Sequence, residues 1–154
     1  VNKWRRFRKL PAAQKNTLLW AFIFVPITRV ALRLIGFQRW RSILAKAIPR
    51  GTALQPVTPE LVAEAKMAAR MVAAASREGF IHGRCLAESV VLWFLLSRRR
   101  VPAELRIGVR QAAKGFEAHA WVEVQDTIVN DTQDVLQNYV PFNEDIAAVG
   151  IERQ

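Results

Sequence analysis

At 154 residues with 51% hydrophobic side chains, the chain can bury one core and needs neither a disulfide nor a metal to hold it. Its single cysteine rules out an internal disulfide and, with two histidines, falls short of a four-ligand structural zinc site unless carboxylates complete the set; a lone thiol suits a reducing compartment, read here as the cytoplasm. The excess of 23 Lys and Arg over 13 Asp and Glu, a net charge of +10, concerns partners more than fold and admits acidic peptides, an anionic membrane surface or nucleic acid.

The front of the chain, "VNKWRRFRK" followed by "TLLWAFIFVPIT", imitates the basic and apolar regions of a secretion signal. Its apolar run stops at Arg29, short of the ~20 residues a spanning helix needs, Pro26 interrupts it, and no small-residue cleavage site follows. The reading is therefore neither signal nor span, with a surface-lying amphipathic helix as the alternative. Residues 13 to 35 are expected to be helical and kinked at Pro26, with Gly36 ending the helix. A short helix, Arg39 to Ala47, places Trp40, Ile43, Leu44 and Ala47 on one face. "PRGTALQPVTP" at 49–59 is a loop that divides a basic helical front, residues 1–55, from a compact back, residues 56–154.

In the back, Thr58, Pro59 and Glu60 open a helix that ends at Gly79. Its stripe of Leu61, Ala65, Ala68, Ala69, Val72 and Ala75 suits close packing on another helix. That partner starts near Cys85, with Leu86, Val90, Trp93 and Phe94 on one face and arginines 98–100 at its negative end. "VPAELRIGVRQ" and "FEAHAWVEV" alternate as half-buried strands, with Ala118, Ala120, Val122 and Val124 inward and His119, Trp121 and Glu123 opposite. "TIVND" continues through a turn, and Phe142 and Ile146 are expected to tuck onto the core. Helix, helix, then antiparallel strands make an α+β arrangement.

Three residues can carry chemistry. A thiol at a helix start meets unpaired N–H groups and the positive end of the dipole, and both favour the thiolate. Such a nucleophile needs an imidazole to share its proton and a third group to fix the ring: Cys85, His119 and Asp131 fill these roles. A two-residue turn at Asp126–Thr127 would put Asp131 on the face opposite His119. A three-residue turn, Gln125 to Thr127, sets Trp121 against Asp131 with His119 diagonal to it on the same side. The odd-length turn, or a bulge of equal effect, is expected. His82 is a rival base without an orienting partner and is placed with Trp121 at the substrate cleft, where Trp121 is read as a shield or a wall. Read blandly, Cys85 is a packed small side chain, His119 a structural histidine and Asp131 a turn former.

"CLAESVVLWFLLSRRRVPAELRIGVR", "FEAHAWVEV" and "ND" together resemble the leader peptidases of lasso peptide biosynthesis, in the transglutaminase-like, papain-related cysteine peptidase superfamily. The resemblance covers roughly residues 57 to 131. It implies a transglutaminase-like fold with Cys85 as nucleophile, His119 as general base and acid, and Asp131 as orienting acid. It also implies removal of the leader from a ribosomally made precursor peptide, without a cofactor. In that family a small leader-binding protein commonly delivers the substrate and a separate cyclase closes the ring. Residues 1–55 do not read as the strand-rich leader-binding module, so that protein is expected to be separate. "QDT" stands where the family's hairpin more usually carries a glycine.

The front is expected to offer Trp20 and an apolar helix rimmed by Arg29, Arg33, Arg39 and Arg41 as a docking surface for delivery protein, leader or cyclase. The plainer alternative is that it only packs on the catalytic half. Two other functions compete: a transglutaminase-type acyl transferase, which shares the chemistry up to the acyl-enzyme, and a non-catalytic basic module for nucleic acid or membrane. The tryptophans lie in apolar stripes and not on an open basic face, so nucleic acid is not the expected partner.

Overall fold

The computed structural model describes residues 11–51, 53–76, 84–113 and 115–141. His82, the helix stop at Gly79, and Phe142 and Ile146 lie outside the described residues. Four helices come first: α1 (Ala12–Leu34), α2 (Phe37–Lys46), α3 (Pro59–Ser76) and α4 (Arg84–Arg98). Strands β1 (Ala103–Ala112), β2 (Gly115–Val124) and β3 (Thr127–Ile128), the short helix α5 (Val135–Asn138) and strand β4 (Val140–Pro141) follow. The strands form one antiparallel sheet in the order β3-β2-β1-β4.

Helix ends follow local chemistry. Thr58 caps α3, its hydroxyl accepting from the Leu61 N–H at 3.2 Å, with Pro59 at the first helical position. The Glu60 backbone N–H and the Thr58 hydroxyl hold the Glu60 carboxyl below its ordinary range. Helix α4 closes with Arg100 at φ 63, so that Val101 N–H reaches Leu96 O and Arg100 N–H reaches Ser97 O, a left-handed C-terminal cap.

The sequence suggests one apolar face on α4, but the helix is buried nearly all round. Ala87 and every residue from Ser89 to Leu96 are buried. The reason is position: α4 lies between the α1–α3 pair and the sheet, so "VVLWFLL" has an apolar neighbour on each side. The front helices share this core. Ala21, Val25 and Leu44 cluster with Ala65, Val72, Val90 and Val122.

Polar ties fasten α1 inward as well. Arg99 donates to Thr17 Oγ1 at 2.6 Å, Trp40 Nε1 donates to Thr28 Oγ1 at 3.2 Å, and Arg29 donates to Ser76 Oγ and O at 2.7 and 3.1 Å. Arg100 donates to Pro49 O at 2.6 Å. Two members of the "SRRR" run therefore tie the front to the back.

The other side of the sheet is not open either. Trp121, Ile128 and Val135 form a second small core with Tyr139 packed on it. Strand β4, unread in the weakly patterned tail, pairs Gly108 with Pro141 and Val109 with Val140. Gly108 allows this crowding: a Cβ there would sit 2.8 Å from the Trp121 ring and 3.0 Å from Val140 O.

Candidate active site

His119 lies near the middle of β2, facing Gly108 across the ladder. Its Nε2 sits 2.5 Å from Asp131 Oδ2, and the other carboxylate oxygen accepts from the Thr132 N–H at 2.7 Å. The imidazole also has an aromatic surround. The Trp121 ring is 6.3 Å away, centroid to centroid, at an interplanar angle of 27°, and the Tyr139 ring is 5.1 Å away at 34°. Trp121 itself is fully buried, its Nε1–H bonded to Glu123 Oε1 at 2.7 Å. Of the two roles expected for it, burial removes the cleft wall and keeps the shield. A side chain with no exposed surface cannot touch a substrate; it shields the imidazole from beneath.

The route by which Asp131 reaches His119 also differs from expectation. Val124 faces Thr127 and Glu123 faces Ile128, so the turn is the two residues Gln125 and Asp126. Continued, this register would set Asp131 opposite Ala120, on the wrong face. The ladder stops first. Val129 N–H donates to Val122 O, but the Val122 N–H is taken at 2.8 Å by the side-chain oxygen of Asn130 instead of a strand carbonyl. The chain bends over residues 129–131, and that bend swings the carboxylate to the imidazole. Its effect is that of the expected bulge, by a different device.

Asn130 does more. Its Nδ2 donates to Ser89 Oγ at 2.9 Å, and Ser89 in turn donates to Ala120 O at 2.8 Å. Ala120 and Val122 direct their backbone groups away from β1, toward the edge that short β3 leaves uncovered. Ser89 and Asn130 thus clasp α4, the open edge of β2 and the bend carrying Asp131. Cys85 lies one helical turn before Ser89 on the same face, about 6 Å back along the axis. Residues 99–102 join the end of α4 to β1, whose first residue Ala103 pairs with Val124, and α4 packs on the sheet face that carries Val122 and Val124. The Cys85 thiol is half-buried, and among the described residues no hydrogen bond joins it to the imidazole.

Ser89 and Asn130 were not singled out in the sequence. The available signals were the four-residue spacing in "CLAES" and the position of Asn130 next to Asp131. Beside Asp131 opens a cleft of about 340 Å³, lined by Lys66, Arg70, Val129, Asn130 and Asp131 among others. Among the described residues no three His, Cys, Asp or Glu converge as a metal site would require.

At the front, Trp20, Arg33 and Arg39 are exposed, as docking would need. Arg29 and Arg41 do not form the expected rim. Arg29 is spent on Ser76, and the Arg41 guanidinium lies 5.9 Å from the Trp93 ring centroid.

Comparison with known proteins agrees with this architecture. No curated protein and no solved structure matches the chain. A family model, the transglutaminase-like superfamily, matches residues 29–144, which takes in the last part of α1 from Arg29, the helix carrying Cys85, and the strand and bend carrying His119 and Asp131. A thiol at the head of a central helix, set against a sheet that presents a histidine–carboxylate pair, is thus found in a chain that belongs to the transglutaminase-like superfamily.

Proposed function

We propose that the chain is a cysteine peptidase that removes the leader segment from a ribosomally made lasso precursor peptide through a thioester. A separate small leader-binding protein delivers the substrate, and a separate cyclase closes the ring. Superfamily membership is compatible with peptidase or acyl-transfer chemistry. The lasso reading rests on the combined resemblance of "CLAES", "PAELRIGV", "HAWVE" and "ND".

The observation that carries the catalytic reading is the bond between His119 Nε2 and Asp131. A carboxylate only accepts, so it fixes the proton on Nε2 and leaves Nδ1 as the basic nitrogen. Nδ1 is then free to take the Cys85 proton once a bound peptide has filled the cleft and the apo spacing has tightened. The thiolate attacks the scissile carbonyl, and the oxyanion forms next to the Cys85 backbone N–H in the first turn of α4. The His119 imidazolium gives its proton to the departing amine, the new N-terminus of the core peptide. Water then gives a proton to His119 and its hydroxyl to the thioester, releasing the leader acid and restoring the thiol. Lys66 and Arg70 line the cleft beside Asp131, and in this reading they contact the peptide flanking the cut.

The test is incubation with a co-encoded precursor, with and without the small leader-binding protein, read by mass spectrometry. Cleavage with water added is expected, and Cys85→Ala should lower it by about 10⁴-fold or more while leaving the fold unchanged. A new isopeptide bond in place of hydrolysis would make the protein an acyl transferase. Cleavage retained by Cys85→Ala would end the proposal.

A further inference from the structure

Helix α1 has two unlike sides. Thr17, Ala21, Val25 and Thr28 are buried against α3 and α4. On the other side Leu19, Phe22, Ile23, Ile27, Val30 and Leu34 keep between 43% and 78% of their surface exposed. At 100° per residue these six occupy an arc of roughly 140°, a continuous stripe about 22 Å long. No charge falls on the helix between Lys15 and Arg29, and Arg29 is turned inward onto Ser76. Lys15 and Arg33 fall at one angular position near one margin of the stripe, eighteen residues or about five turns apart. A soluble domain seldom leaves so long a row of large aliphatic side chains uncovered.

Charge indicates what covers it. Residues 1–59 hold twelve Lys and Arg and no Asp or Glu, while the remaining residues hold eleven basic and thirteen acidic side chains. The excess positive charge of the protein therefore belongs to the segment that bears the stripe. Five of those cations, Lys3, Arg5, Arg6, Arg8 and Lys9, directly precede α1. A second copy of this chain would bring like charge against like. An anionic bilayer supplies hydrocarbon for the stripe and headgroup charge for the basic groups beside it.

We infer that α1 lies in the plane of an anionic membrane surface, its outer stripe inserted at the headgroup–acyl boundary and its inner stripe still seated on α3 and α4. Against the expectation from the short apolar run, the helix continues past Arg29 and is long and apolar enough by length and composition to cross a bilayer. Crossing would tear Thr17 from Arg99, Thr28 from Trp40 and Arg29 from Ser76. Lying flat keeps all three.

The test is flotation of the full chain with phosphatidylcholine vesicles and with vesicles containing phosphatidylglycerol. Binding to the anionic vesicles, weakened by salt, is expected. Ile23→Gln combined with Ile27→Gln and Val30→Gln should lower partitioning on the order of a hundredfold. Cys85→Ala should bind as the wild type does, which separates this inference from the catalytic one. As a readout independent of the triple variant, brominated lipid should quench an emission component that Trp20→Phe removes. Absence of binding to either vesicle, unchanged binding by a folded triple variant, or a wild-type dimer that the triple variant turns into a monomer would each overturn the inference.

Discussion

The two halves of the site are held by different means. On one side, His119 and Asp131 are bonded side chain to side chain, with Trp121 and Tyr139 fixing the plane of the ring. On the other, Cys85 is placed only by the helix that carries it, and that helix is pinned to β2 through Ser89 and Asn130. A directly bonded pair keeps its geometry while the fold survives. A thiol positioned by a helix is placed only as well as the helix is seated. The imidazole half should therefore fail chemically, and the thiol half mechanically.

The largest effect on the chemical side is expected from Asp131→Ala. The carboxylate is about one-third exposed, so its removal should barely move the melting temperature. Without it, nothing fixes the proton on Nε2, and half of the imidazole's neutral tautomers present no base to the sulfur. Loss of a triad's orienting acid typically costs 10²–10⁴ in rate. We expect kcat for leader cleavage to fall by about 10³-fold with thermal unfolding unchanged. A variant cleaving within threefold of wild type would remove Asp131 from the reaction and leave the two halves no different in kind.

Much of this geometry can be read in the chain, and the exceptions have a common cause. Alternation in "FEAHAWVEV" places His119 and Trp121 on one face, and the helix start at Cys85 follows from the apolar run behind it. The length of the turn was not readable, because Asn130 replaces a strand carbonyl with its own side chain, and counting residues assumes an unbroken ladder. The burial of Trp121 was missed for a related reason. Its cover comes from Val135 and Tyr139, in a tail whose short helix and two-residue strand form only against the sheet. The inward turn of Arg29 depends on Ser76, 47 residues away. Local pattern reports which face a residue takes, but not what arrives to cover it.

Ser89→Ala probes the mechanical side at an intermediate size. Removing the hydroxyl leaves Ala120 O and Asn130 Nδ2 without their partner in a buried place, a cost of about 1–3 kcal/mol. The melting temperature should drop by several degrees. Labelling of Cys85 by a thiol probe should change in rate as the first turn of α4 loosens from β2. Ser89→Thr, which restores a donor and acceptor, should recover part of both. Unaltered stability and labelling in Ser89→Ala would mean that the core packing of α4 alone seats the thiol, and that the clasp is incidental.

The smallest effect sharpens the comparison most, because it concerns how Asp131 arrives. Gln125 opens the two-residue turn at φ 56, a conformation that costs a side chain about 1 kcal/mol and glycine almost nothing. Gln125→Gly should stabilise the protein by roughly 0.5 kcal/mol after the larger entropy loss of glycine is subtracted, a rise of one or two degrees in melting temperature. Activity should not follow. The hairpin register by itself points Asp131 to the wrong face, and the bend at Asn130 sends it to His119, so a firmer turn leaves the carboxylate where it was. If Gln125→Gly changed kcat beyond twofold, turn and carboxylate would be mechanically linked. The imidazole half would then depend on its support as the thiol half does.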